Sequence, residues 1–275
     1  MLGDAVATIG ADHVELTTLM GPGIDPHLYK PSARDIDALG DTDLIVYGGL
    51  HLEGRMTELF EQIRDMGIPT VAASEAIPDG HLLVLGSAHD PHVWFSVPLW
   101  QLALDAVRDA LIGVAPEHAE MFTTNAAAYR DELDALDGYV RERTATVPAD
   151  GRVLVTAHDA FGYFGAEYGY EVHAIQGLST AAEAGAGDIQ DLADFLAARE
   201  IPAIFVESSV PRGTVEALRE ATRSRGWDVA IGGELFSDAM GTAGTPEGTY
   251  IGMVTHNIDT IVAGLTGATT EEDAT

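Results

Sequence analysis

The chain has 275 residues, 46% of them hydrophobic, which suits one large domain or two ordinary lobes and excludes a disordered chain. Its 44 acidic residues stand against 14 basic ones, a net charge of −30, so the basic footprint that nucleic acid needs is missing. With a cysteine count of 0, disulfides, thiolate metal sites and cysteine nucleophiles are excluded, and a metal site must use His, Asp, Glu or carbonyls.

In chain order, VELTTLM (14–20), DLIVYGG (43–49) and TVAAS (70–74) are short apolar runs that predict buried strands. Met56, Leu59, Phe60 and Ile63 recur at helical spacing and predict a crossover helix between the last two. Residues 96–112 predict a second amphipathic helix. From Pro116 to Thr144, the positions Met121, Asn125, Ala128, Tyr129, Glu132, Leu133, Leu136 and Val140 keep a period near that of a helix. That is one helix of about 28 residues, roughly 40 Å long. PADG (148–151) breaks the chain after it. RVLVT (152–156), YEVHAI (170–175), AIFVES (203–208) and WDVAIGG (227–233) predict further strands, with helices over 188–199 and 213–225. The alternation is that of an α/β protein whose lobes each carry a mainly parallel sheet flanked by helices. The expected segments are an N-terminal lobe (1–114), a long rigid linking helix (115–146) and a C-terminal lobe (147–275).

No run reaches the roughly 18 apolar residues of a membrane-spanning helix. MLGDAVATIGADHVEL lacks the regions of a signal peptide, which taken alone suggests a cytoplasmic protein or an incomplete N-terminus. The acid excess, with Lys30 as the single lysine and many small residues, resembles proteins of salt-loving archaea. High ionic strength shortens the Debye length and removes the self-repulsion of such a surface.

The histidines carry the chemistry. Asp-Pro-His occurs twice, as DPHLY (25–29) and DPHVW (90–94). Proline fixes its own φ and pushes the preceding Asp to extended geometry, so each turn is stiff and presents one imidazole. The Asp can accept from local amides, and Tyr29 or Trp94 can wall one side of the ring. His158, just past the strand 152–156, and Asp238, after the strand 227–233, sit near strand carboxyl ends, where α/β proteins bind ligands. His27, His92, His158 and Asp238 together make a candidate four-ligand metal site.

The order DPHxY, DPHVW, long helix, HxAFGYF, GLSTAAEAGAGD (177–188), LFSDAMG and TYIGMVTHNIDTI resembles the zinc- and manganese-binding solute-binding proteins of ABC importers, over about residues 4–265. The resemblance implies two α/β lobes joined by a rigid helix, with the ion held between them by His27, His92, His158 and Asp238. It also implies an extracytoplasmic receptor, acting as a monomer, that delivers its ion to a membrane permease and ATPase. Family members begin with a signal, commonly a lipid-anchored one, and a first strand, and by this resemblance the sequence is expected to start inside the helix that follows, with signal and anchor absent. The stretch 79–91 is short and holds only His81 and His89, unlike the His- and acid-rich loop of many zinc-selective members. Three nitrogens and a carboxylate favour Zn2+ over Mn2+ by the Irving–Williams order, so Zn2+ is the first choice and Mn2+ the second. A bidentate Asp238 would suit Mn2+. Glu207 is the rival carboxylate, expected to act as a partner of a ligand, and His89 is expected near the mouth of the site.

Neutral imidazole ligands should release protons on metal uptake and weaken below about pH 6. Two ligands per lobe imply an ion that bridges and rigidifies the lobes, and the long helix should restrict loading to a small lobe adjustment. The rival reading is a hydrolase whose zinc sits on three histidines and an aspartate, but there is no HExxH and four protein ligands leave no open position. A cell-surface adhesin on the same fold is a third reading.

Overall fold

A computed structural model describes residues 1–86, 88–182 and 184–267. Ser87 in the 79–91 stretch, Glu183 in the 177–188 motif and the last residues of the C-terminal segment lie outside the described residues. The chain divides into two compact units, Met1–Asp137 and Gly138–Thr275, within one long helix.

The first unit begins with α1 (Leu2–Gly10) and α2 (Ala33–Gly40), followed by β1 (Ile45–Tyr47), α3 (Thr57–Asp65) and β2 (Thr70–Ala72). β1 and β2 pair in parallel, with Val46 opposite Val71, and α3 makes the crossover that parallel strands require. Leu39, Ile45, Met56, Phe60 and Ile63 close the core beneath them. The short antiparallel hairpin of β3 (Val84–Leu85) and β4 (Ala88–His89) leads to Asp90, and α4 (Val97–Val114) follows. Ser96 caps α4 by accepting from the Leu99 amide, and Pro98 lies in the first turn, where a missing N–H costs nothing.

The expected long helix is α5 (Ala119–Ala145), 27 residues or about 40 Å. Its stripe of Phe122, Tyr129, Leu133, Leu136 and Val140 is buried. In the first unit, Tyr129 donates to Asp4 (3.2 Å), Asn125 donates to the Ile9 carbonyl (3.0 Å), and Arg130 donates to Gln101 (2.9 Å) and Asp105 (2.8 Å). In the second unit, Tyr139 (2.8 Å) and Arg143 (2.6 Å) both donate to Asp259.

The second unit continues with β5 (Val153–His158), α6 (Gly162–Tyr168), β6 (Glu171–Gln176), α7 (Ala186–Arg199), β7 (Ala203–Glu207), α8 (Gly213–Arg223), β8 (Ala230–Leu235) and α9 (Tyr250–Thr266). β5 pairs in parallel with β6, β7 pairs in parallel with β8, and β5 lies against β7. Every residue of β5 and β7 is buried, as expected of strands covered on both faces by helices. α9 packs closely on β8: a Cβ on Gly264 would meet Phe205 Cζ at 2.8 Å and the Gly232 Cα at 3.1 Å.

Two expectations shift. Residues 14–20 form no strand: an extended segment needs a ladder partner, and no described residue supplies one. Leu16 is exposed, and only Leu19 and Met20 reach the core around Met56. β8 starts at Ala230, opposite Ala203, where its partner β7 begins, and upstream of it the Trp227 indole N–H donates to the Ile201 carbonyl at 2.7 Å. No helix among the described residues is long and apolar enough to cross a membrane.

Candidate metal centre

Each Asp-Pro-His turn folds as its sequence suggests. Asp25 accepts the His27 amide at 2.8 Å, and Asp90 accepts the His92 amide at 2.9 Å, in both cases across the intervening proline. Trp94 packs edge-on to His92, with ring centroids 5.2 Å apart. Tyr29 behaves differently from its counterpart: it packs with the core around Met56 and donates to Asp35 at 2.9 Å. Asp35 also closes the capping box of α2 with Ser32, so this phenol ties the His27 turn to the start of that helix.

Within the first unit the two rings converge. His27 Nε2 lies 3.3 Å from His92 Nε2, and both residues are buried. The Nδ1 of His92 lies 2.7 Å from Asp90 Oδ1, and an ionised carboxylate only accepts, so the ring proton sits on Nδ1. With Nδ1 engaged by Asp90, the Nε2 of His92 faces His27.

In the second unit, His158 is the last residue of β5 and not a loop residue beyond it. Its Nε2 lies 3.2 Å from Asp238 Oδ2, and its Nδ1 lies 2.5 Å from Glu207 Oε2 at the end of β7. Burial favours a neutral ring, but Glu207 and Asp238 outweigh it and hold the His158 pKa well above the usual histidine range. Asp238 follows β8 in a short loop. Asn257 of α9 clamps that loop by donating to the Phe236 carbonyl (2.7 Å) and accepting its amide N–H (2.9 Å). Ser209 and Ser237 join the ends of β7 and β8 through a 3.0 Å hydroxyl contact.

The sequence reading did not single out Asn257, although it lies inside the quoted TYIGMVTHNIDTI motif. A buried amide on an otherwise apolar helix face was the available signal. It also passed over Glu53, which is buried just beyond β1. Glu53 accepts the Gly48 (2.7 Å) and Gly49 (3.2 Å) amides, and burial raises its pKa despite those bonds. Of the remaining histidines, His13, His51 and His81 are exposed, and His89, His118, His173 and His256 are half-buried. Trp94, Phe161, Tyr163 and Phe164 are buried in the core.

The spacing within each pair has a chemical meaning. Zinc–nitrogen bonds of about 2.0–2.1 Å at a tetrahedral angle place two donor atoms about 3.3 Å apart. The His27–His92 distance is 3.3 Å and the His158–Asp238 distance is 3.2 Å, so each pair is set at the bite of a tetrahedral divalent ion. The donor set, imidazole with one carboxylate, suits a first-row transition metal over Ca2+ or Mg2+.

Known proteins agree with this chemistry. The chain is 56% identical to the zinc-binding protein TroA of Treponema pallidum, over 96% of this chain and 86% of that protein. It is 47% identical to the manganese-binding lipoprotein MntA of Bacillus subtilis, over 96% of this chain and 87% of that protein. The solved structure of the periplasmic zinc-binding protein TroA from T. pallidum superposes with a TM-score of 0.95, covering 96% of each chain at 56% identity. The model of the ZnuA family, zinc-uptake complex component A, periplasmic, matches residues 1–264, and with nearly the whole length accounted for, the chain belongs to that family of metal-binding receptors.

Proposed function

We propose that this protein is an extracytoplasmic receptor that binds one divalent transition-metal ion on His27, His92, His158 and Asp238 and delivers it to an ABC importer. The observation that carries the reading is the spacing of the two donor pairs, 3.3 Å and 3.2 Å, at the bite of a tetrahedral ion. Zn2+ is the first choice of cargo and Mn2+ the second. The tetrahedral bite and the nitrogen-rich donor set support that order, and relatives named for each metal keep both in play.

The partners are the permease and ATPase of the importer, and the receptor acts as a monomer. We read residues 1–114, 115–146 and 147–275 as lobe, linking helix and lobe. The names of the relatives, one periplasmic and one a lipoprotein, support a surface-anchored native form. The charge of −30 supports a salt-loving archaeal setting. The hydrolase reading falls with membership in a family of binding proteins.

The deciding experiment is calorimetric titration of metal-free protein with Zn2+ and Mn2+ in molar salt, with a competition run and the His92→Ala variant. One tight site, weakened by orders of magnitude in the variant, is the expected result. Unchanged affinity in His92→Ala overturns the ligand assignment. Tight binding of neither ion overturns the receptor reading and leaves the adhesin.

A further inference from the structure

We infer that Asp90 and Glu207 are positioning carboxylates, each locking one histidine with its Nε2 turned towards the cargo. The inference rests on the four-ligand reading above and adds two residues to it that do not touch the ion.

The two residues use the same device from different places in the fold. Asp90 Oδ1 accepts both the backbone N–H of His92, at 2.9 Å, and the ring Nδ1–H, at 2.7 Å. Glu207 Oε1 accepts the backbone N–H of His158 at 2.8 Å, while its Oε2 takes the ring Nδ1–H at 2.5 Å. In each case one carboxylate holds the backbone and the ring of the same histidine, so the ring is unable to turn over without losing a charge-assisted bond. All four residues are buried, with Asp90 and Glu207 at 1% and 2% exposure, so little water is at hand to replace a lost bond.

The origins of the carboxylates differ. Asp90 belongs to the same turn as His92, two residues upstream across Pro91. Glu207 reaches His158 from the end of β7, which lies beside β5 in the second unit. The engagement of both Glu207 oxygens by His158 also argues against Glu207 as a direct metal ligand. A histidine that donates Nδ1–H to a carboxylate is fixed in the tautomer that ligates through Nε2, and is made a stronger donor.

The test uses the full chain with Asp90→Asn, Asp90→Ala, Glu207→Gln and Glu207→Ala. His92→Ala and His158→Ala serve as controls. Zn2+ affinity is measured by competition, and the ring N–H resonances are read by 15N NMR of the Zn2+-loaded protein. The alanine variants should lose about 10–100-fold in affinity, and each should lose the slowly exchanging Nδ1–H signal of its own histidine only. The isosteric amides, which fill the same space and keep one acceptor oxygen, should fall between wild type and alanine. A melt of each metal-free variant checks folding. Where an alanine variant fails to fold, its amide counterpart decides. Folded alanine variants that keep affinity within twofold, or keep the ring signal, overturn the inference, even if their melting temperature drops, and so does wild-type affinity in an amide variant whose alanine counterpart fails to fold. Wild-type affinity in His92→Ala and His158→Ala is the separate result that overturns the four-ligand reading itself.

Discussion

The Nε2 of His158 stands 3.2 Å from Asp238 Oδ2, and the opposite ring nitrogen stands 2.5 Å from Glu207 Oε2. Burial disfavours the charged ring, but the two buried carboxylates outweigh it, and the His158 pKa is raised well above the usual histidine range. In the proposed site, an ion taken up on Nε2 would compete with protons for that nitrogen.

The pH dependence follows with a definite sign. A histidine whose pKa is raised by folding stabilises the protein fully below its unfolded value of about 6.5. That contribution is lost as pH rises through the higher folded value. The metal-free protein should therefore melt at a lower temperature as pH rises above neutrality. Zn2+ affinity should move the opposite way, rising with pH through the same window, with proton release visible as a buffer-dependent heat of binding. Competition by protons thus sets in at a higher pH than the value near 6 expected for unperturbed imidazoles. Calorimetry in two buffers of different ionisation enthalpy checks this, and an affinity flat between about pH 6.5 and 8 would contradict it.

Asn257 offers a second test. Its side chain satisfies both the amide and the carbonyl of Phe236, two residues before Asp238. Asn257→Leu keeps the volume but strands both groups, at a cost of about 1–3 kcal/mol for each buried polar group left unsatisfied. The melting temperature of the metal-free protein should fall, and Zn2+ affinity should fall with it because the Asp238 loop loses its clamp. Chemical denaturation and competition titration of the same variant measure the two effects. Lost stability with unchanged affinity would show that the loop holds Asp238 without this clamp.

Ionic strength is the third variable. With a net charge of −30, repulsion among surface acids opposes the folded state in dilute salt. Raising KCl from about 0.1 M to above 1 M shortens the Debye length from about 10 Å to about 3 Å or less. Thermal melts across that range should rise with salt, more steeply than in an equal osmolality of sucrose. Equal responses to salt and sucrose would mean that screening of the acidic surface is not what stabilises the fold.

Much of the fold is legible from local pattern. The stripe Tyr129, Leu133, Leu136 and Val140 marks α5 because a helical period over so many turns has no competing explanation. The apolar runs 153–155 in β5 and 203–206 in β7 mark strands buried on both faces. Residues 14–20 mislead because β-propensity reports fitness for a pleated surface, and whether a partner strand exists is a tertiary matter. His158 is the last residue of the strand and does not lie past it, a shift within the ordinary uncertainty of boundaries read from pattern.

By itself, the sequence determined the candidate ligands, since a repeated Asp-Pro-His turn is a local object whose stiffness comes from proline and whose role comes from imidazole. Only the tertiary structure decided how those ligands are held. Glu207 lies 49 residues from His158, and Asn257 lies 21 residues from Phe236. No local spacing reveals such pairs, because they arise where the ends of neighbouring strands and a packed helix meet. Inside the fold, where water is excluded, each buried donor needs an acceptor, and Glu207 meets that need for both the backbone N–H and the ring Nδ1 of His158.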